Sequence, residues 1–554
     1  RMGCVVFHYD MVGYADSNQL SYELVHRFGK QRPEAIDPKN WGLFSPQAES
    51  HLQSVMGLQI WNGVRAIDFV QSLDDVDPDK IAVTGASGGG TQTMILAAID
   101  PRVDVSVPAV MVSTAMQGGC TCENCSLLRI DTGNVEFAAL FAPKPQLLIC
   151  ADDWTKELRT KGFPDLAALY KTLGAADKVA MIDELQFKHN YNFVNRAAMY
   201  AFMNEHLELG LPSPIVERDF ERLTQTDLTV WNDDHPAPAG GWEFEWKLLA
   251  QMRDASDKQL AKLLPHDAAS LRSFKETIGG GLDIVLGREI PEPKRIDYKQ
   301  SSKNDDGYYL QMAGVLNYKT PGDQQEQLPL VFLYPKDWNR QVVIWIHPRG
   351  KAGLYEEDGP IIEPVKELMR AGTCVIGVDL LHQGEFLADG QPLAETPKVK
   401  NPREAAAFSF GYNETVFAER AHDILTVAAY VKNHGLEPEE VVVVGLDGAA
   451  GPLVAAARAQ GRDLIDRAVV DTHGFRFVDV KSIRDPDFLP GGAKYFDLPG
   501  MLAVAAPLPL WLAGEGEGGP VSLPGVYEAA GAKDQLTQAP SGDAAAAVKW
   551  ILKK

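Results

Sequence analysis

The stretch Asp77 to Asp100, DPDKIAVTGASGGGTQTMILAAID, decides how the rest of the chain is read. Ile81 to Thr84 is a short apolar run of the kind a buried strand makes. Gly85-Ala86-Ser87-Gly88-Gly89 follows, and Thr91 to Ile99 carries the apolar spacing of a helix. Strand, glycine-flanked Ser and helix together form the context that a G-x-S-x-G nucleophile elbow requires. Such a turn is tight, so glycines flank the Ser, and it lifts the hydroxyl clear of the sheet. The helix behind it presents backbone N–H groups and a positive dipole end to a developing oxyanion, with Gly88 N–H the first donor. The pattern alone is weak in a chain with 49 Gly; its flanks give it weight.

A nucleophilic Ser needs a base, and the base needs a group that fixes its tautomer. In α/β-hydrolases the chain order is Ser, acid, His. Pro145 to Cys150 reads as a strand ending in Ala151-Asp152-Asp153-Trp154. A helix over Pro164 to Leu173 and a strand over Lys178 to Ile182 follow, then Phe187-Lys188-His189-Asn190-Tyr191-Asn192 and a helix from Val194 to Leu207. This puts an acid, Asp152 or Asp153, after one strand and His189 after the next. His189 is therefore the candidate base among 12 His, most of which read as surface residues.

At 554 residues the chain exceeds what one core accommodates, and two large domains are expected. The net charge of −22 argues against nucleic acid and anionic membrane surfaces as partners. The nearest approach to a membrane span, Met501 to Ala513, is short and carries two prolines. Six Cys make no disulfide framework. Three of them cluster as Cys120-Thr121-Cys122-Glu123-Asn124-Cys125; without a fourth ligand or a second C-x-x-C, the expectation is free thiols or one local bridge and no metal.

From its start the chain runs into Cys4 to Asp10, which reads as the fourth strand of an α/β-hydrolase sheet. The expectation is of a remainder of a longer precursor, whose earlier strands, first helix, second oxyanion loop and any signal peptide precede Arg1. The alternative is a domain that completes its sheet from elsewhere. Gln53 to Leu73 reads as an amphipathic helix, and Glu34 to Gln47 as a loop beside the cleft. Gly210-Leu211-Pro212-Ser213-Pro214 marks a boundary. The organisation expected is thus 1–209 catalytic, 210–290 a connecting helical module, and 291–554 a second domain.

That second domain repeats the first. Arg370-Ala371-Gly372, a strand and Asp379 match Arg1-Met2-Gly3, a strand and Asp10. Glu437-Pro438-Glu439-Glu440-Val441 matches Asp77-Pro78-Asp79-Lys80-Ile81, and Gly445-Leu446-Asp447-Gly448-Ala449 falls on the elbow with Asp447 at the Ser87 position. Strands at Pro329 to Tyr334 and Val342 to Ile346 lead to His347-Pro348-Arg349-Gly350, which reads as an oxyanion turn. The late loop, Gln538 to Asp543, has no His, so this copy is expected to be catalytically dead. The fold class is α/β: two tandem α/β-hydrolase domains with doubly wound, mostly parallel sheets, the first lacking its N-terminal strands.

VTGASGGGTQT around Ser87, GGCTCEN at Gly118 to Asn124, NVEFAALFAPKP at Asn134 to Pro145, DWT at Asp153 and HNYN at His189 carry a resemblance. In these motifs the first half resembles the acetylxylan esterase and cephalosporin-C deacetylase-like branch of the α/β-hydrolases, above all its tandem-domain members. The resemblance favours Asp153 over Asp152 through the D-W-T signature. It implies hydrolysis of short-chain, typically acetyl, esters on carbohydrate by a serine acyl-enzyme route that uses no cofactor and no metal. It also implies a secreted or periplasmic location, with a cytoplasmic one left open. Tyr14, Trp41 and Trp154 are candidate stacking surfaces for a sugar ring. Rival readings are a serine peptidase of the same fold and a non-catalytic carbohydrate-binding or scaffold protein. Oligomeric state is not legible.

Overall fold

The protein is seen in a computed structural model that describes residues 2–27, 29–388, 391–397, 403–516 and 519–553. Two sheets organise it. The first is four-stranded and wholly parallel, in the order β1 (Ala82–Ala86), β2 (Val105–Ala109), β3 (Gln146–Ala151) and β4 (Val179–Glu184). Crossovers between parallel strands need a connection of a dozen or more residues. Helices Gly88–Ile99 and Phe163–Thr172 lie in two of them. Helices Val55–Gln71 and Phe193–His206 flank the sheet's span of sequence. The runs expected to be elbow strand, helices and later strands lie within a few residues of these spans.

The second sheet has nine strands: β5 (Ile296–Asp305), β6 (Tyr309–Lys319), β7 (Gln325–Pro335), β8 (Gln341–Ile346), β9 (Cys374–Val378), β10 (Glu440–Gly445), β11 (Arg467–Asp471), β12 (Leu510–Ala513) and β13 (Leu536–Gln538). Their order is β13-β12-β11-β10-β8-β9-β7-β6-β5. The ladders from β13 to β9 are parallel; β7 joins β9, and β5, β6 and β7 join one another, antiparallel. Like β1 to β4, β10 to β13 are consecutive in the chain and lie side by side in their sheet. Val441 to Val444 of β10, flanked by β8 and β11, are fully buried. No residue of β1 is fully buried, because β2 is its one ladder partner among the described residues.

Two expectations need correction. Among the described residues Cys4 to Asp10 joins no ladder; Val5, Val6 and Phe7 are exposed, and Phe7 packs on Phe69 of the helix Val55–Gln71. An apolar run becomes a strand only where a sheet edge pairs with it. The stretch read as a cleft loop, Glu34 to Gln47, is largely interior: Trp41, Leu43 and Phe44 share a core with Leu249 and Phe408. It runs into a buried helix, Pro46–Ser50, whose Ser45 cap accepts from Ala48 N–H. Gln47 Nε2 donates to Val478 and Val480 carbonyls at 3.0 and 2.9 Å, and Gly491 N–H donates to the Glu49 carbonyl at 3.0 Å. This helix thus stitches the first half to the second.

The helices between the sheets are divided between their cores. Leu249, on Trp242–Leu260, packs with the first half, while Leu271, Phe274, Ile278, Leu282, Val285 and Leu286 join the core of the nine-stranded sheet. Among the described residues no helix is long and apolar enough to cross a membrane.

Candidate active site

Ser87 sits between β1 and the helix Gly88–Ile99 at φ +59°, ψ −121°, a left-handed conformation that L residues rarely adopt. Its N–H donates to the Ala109 carbonyl at 3.0 Å, which anchors the turn to β2. Ser is a common N-cap, and Ser21, Ser45 and Ser54 each cap a helix here through the side chain. Ser87, at its positive φ, makes no such side-chain cap hydrogen bond. Among the described residues its hydroxyl makes no hydrogen bond, and Gly88 opens the helix beside it.

Glycine is required at this turn, though not at all the positions that flank the Ser. A Cβ at Gly85 would lie 2.5 Å from the Gly89 carbonyl oxygen, and one at Gly90 would lie 2.8 Å from that of Ala109. At Gly89 a Cβ would meet nothing within 4 Å, and at Gly88 only side-chain ends at 3.6 and 3.7 Å. The close approach of strand to helix therefore falls on Gly85 and Gly90.

β3 and β4 deliver the acid and the imidazole. Asp153 Oδ2 accepts from His189 Nδ1 at 2.7 Å, so Nδ1 carries the proton and Nε2 keeps its lone pair. The other oxygen accepts from Thr155 N–H at 2.7 Å and Thr155 Oγ1 at 2.6 Å. With 5% of its side chain exposed, Asp153 is held as a fixed, buried acceptor. Asp152 instead pairs with Lys188 in solvent, and that hydrogen bond holds its pKa below the usual carboxylate range. The indole of Trp154 lies 4.5 Å from the His189 ring, centroid to centroid, while its buried Nε1 has no hydrogen-bond partner among the described residues.

The structure thus brings Asp153, Trp154 and His189 together and places Ser87 on its elbow. Among the described residues no hydrogen bond joins Ser87 to His189. The imidazole is carried by an exposed loop that follows β4. Trp41 is a correction to the sequence reading. It is 3% exposed, stacks on His51 and donates its Nε1–H to Gln53, so it offers no face to a sugar. Tyr14 is exposed and packs edge-on against Tyr22 and His26.

Two groups beside the elbow were not foreseen. Glu123 is buried, with Oε1 3.7 Å from where a Cβ on Gly88 would stand; it accepts from Gly119 and Cys120 N–H groups at 2.9 and 3.0 Å. Arg129, also buried, braces the same loop by donating to the Glu123 carbonyl, Asn124 Oδ1 and Asn134 Oδ1. Burial lowers the Arg129 pKa. For Glu123 the sequence signal was a charged residue in the run GGCTCEN at Gly118 to Asn124; Arg129 carried none.

Residues 59–113, which contain the elbow, match the family model of acetyl xylan esterase (AXE1). The chain is 36% identical to YtaP of Bacillus subtilis (strain 168) over 81 residues, covering 13% of this chain and 27% of YtaP. It is 27% identical to 4-O-methyl-glucuronoyl methylesterase 1 of Wolfiporia cocos (strain MD-104) over 220 residues, covering 32% of this chain and 52% of that protein. The chain thus spans about half or less of the length of these curated relatives. A glucuronoyl esterase from Solibacter usitatus aligns at 16% identity and TM-score 0.33, covering 48% of this chain and 82% of the other.

Proposed function

We propose, on the premise that this chain is an α/β-hydrolase resembling the acetyl xylan esterases, that it hydrolyses carboxylic esters on carbohydrate. Ser87 is the nucleophile, His189 its base, and Asp153 the carboxylate that orients the imidazole. The observation that carries this reading is the conformation of Ser87: a non-glycine φ of +59° at a strand-to-helix turn, with the hydroxyl capping nothing. Backbone strain of this kind is kept where a side chain must be presented.

In the reaction, His189 Nε2 takes the proton of Ser87 Oγ as Oγ attacks the ester carbonyl. Gly88 N–H donates to the oxyanion as charge develops on it. His189 then gives the proton to the leaving alcohol, and water repeats the sequence on the acyl-enzyme. Asp153 stays ionised throughout and stabilises the imidazolium. Trp154, beside His189, and Tyr14, exposed near the loop that backs the elbow, are the aromatic surfaces for a sugar.

Short acyl groups, acetyl above all, are the substrates this reading favours. A second reading, a methyl ester of a sugar acid, is favoured by the 27% identity to the methylesterase. Residues 291–554 are read as a degenerate second hydrolase unit, 1–209 as the catalytic one and 210–290 as the connection. A secreted or periplasmic location follows from the same resemblance.

The test is hydrolysis of p-nitrophenyl acetate, acetylated xylan, a methyl glucuronate and a peptide by the full chain and by Ser87→Ala. Ester turnover should fall by about three orders of magnitude or more in the variant. Turnover unchanged in Ser87→Ala would place the chemistry elsewhere. Cleavage of the peptide with none of the esters would make the chain a peptidase, and no turnover of any substrate would favour a binding protein.

A further inference from the structure

We propose that His26, Cys120 and Cys122 form a binding site for one thiophilic divalent cation, zinc by the chemistry of its donors. The ligand atoms of the three residues all lie within 4.8 Å of one another, and His26 Nδ1 is 3.7 Å from Cys120 Sγ. A tetrahedral zinc ion with ordinary Zn–N and Zn–S bonds separates N from S by about 3.6 Å and S from S by about 3.8 Å. The trio therefore needs little movement to close on the ion.

Three further features belong to a ligand set. His26 Nε2 sits 2.7 Å from the Val12 carbonyl, so Nε2–H donates there and the Nδ1 lone pair faces the sulfurs. A carbonyl that fixes the tautomer of a histidine is the usual outer partner of a metal-bound imidazole. Arg27 N–H donates to Cys120 Sγ at 2.9 Å, a bond that supports a thiolate. His26 and Cys122 are both buried while Cys120 is half-buried, so the partly open side of the trio is the Cys120 side. Three protein ligands with an open fourth position are a common zinc arrangement. Cys125 takes no part, since it packs on a different core with the elbow helix.

The site ties two segments that are far apart in sequence. Val12 and His26 belong to the segment before the first sheet, and Cys120 and Cys122 to the loop that puts Glu123 behind Gly88. Thr121 already bridges them, its N–H donating to the Arg27 carbonyl and its hydroxyl to that of Val25. A redox-inert cation at this point fastens the wall of the elbow without entering the ester chemistry.

The experiment uses the full chain, reduced and stripped with chelator, then titrated with zinc alone and with cobalt as a spectroscopic probe. One zinc per chain is expected, with a thiolate-to-cobalt charge-transfer band and a Tm that rises with zinc and falls again with chelator. Cys120→Ser and Cys122→Ser should each weaken zinc binding at least tenfold, and Cys125→Ser should leave it unchanged. His26→Gln should remove tetrahedral cobalt absorption, and circular dichroism distinguishes this from unfolding. Absence of zinc binding by the reduced wild-type chain overturns the proposal. So does full zinc affinity in a folded Cys120→Ser/Cys122→Ser chain, or a Cys120–Cys122 disulfide that after reduction still takes no metal.

Discussion

Asp153 has one oxygen on Thr155 and the other on His189, whereas the neighbouring Asp152 is held by Lys188 at the surface. The two carboxylates should therefore respond differently to the same change. Asp153→Asn keeps the shape but reverses the hydrogen-bond polarity at Nδ1, so it should lower kcat by about 10²–10⁴ on p-nitrophenyl acetate. Asp152→Asn breaks only an exposed ion pair and should stay within about threefold of wild type. Equal losses in the two variants would remove Asp153 from its assigned role.

The elbow is an element whose strand and helix must nearly touch. Gly90→Ala puts a Cβ 2.7 Å from the Met111 Cβ and 2.8 Å from the Ala109 carbonyl oxygen, where backbone must shift. It should cost about 1–3 kcal/mol of stability, read from denaturant midpoints, and most of the activity with it. Gly89→Ala adds a Cβ into open space on the first turn of a helix and should be neutral or stabilising by up to about 1 kcal/mol. In the second half the corresponding turn is built otherwise. There the positive φ falls on Gly448, at +51°, one residue beyond Asp447, so no strained side chain is presented. His347 Nε2, in the turn read from the sequence as an oxyanion turn, lies 3.5 Å from Asp447 Oδ2.

Across the whole molecule the two halves meet at the buried helix Pro46–Ser50, and Glu49 is its charged member. Ser126 Oγ donates to Glu49 Oε2 at 2.7 Å, but burial pushes the carboxyl up to about 7. The folded state therefore binds this proton more tightly than the unfolded one, whose carboxyl titrates near 4.5. Stability from this group is fully present below about 4.5 and is lost as pH rises through about 7. Glu49→Gln keeps the acceptor for Ser126 and removes the titration. It should be more stable than wild type at pH 8, by at most about 3 kcal/mol, and equal to it near pH 4. A wild-type stability that does not decline across this window relative to Glu49→Gln would contradict the assignment. At the same scale, Asp447→Asn should leave ester turnover unchanged within about twofold, since nothing presents Asp447 as a nucleophile; a large loss in a folded variant would make the second half catalytic.

Local order along the chain was enough to place Ser87 on its turn, Asp153 after β3 and His189 after β4. Each depends on a short-range signal: glycine flanks, the end of an apolar run, the start of a helix. The sequence likewise separated 12 His into one candidate base and the rest. What it could not supply was any fact that depends on which distant segments pack together. Trp41 and a sugar-facing Trp look alike in sequence; only in the fold does Trp41 join a core with distant Leu249 and Phe408 and stack on His51. Cys4 to Asp10 has the composition of a strand, yet pairing is decided by a neighbouring edge, not by composition. Cys120 and Cys122 lack a third ligand within their own motif because His26 comes from 94 residues upstream. Periodicity and turn chemistry are properties of neighbours in the chain, and these set the elements; burial, pairing and ligand sets belong to neighbours in space, which only the folded core brings together.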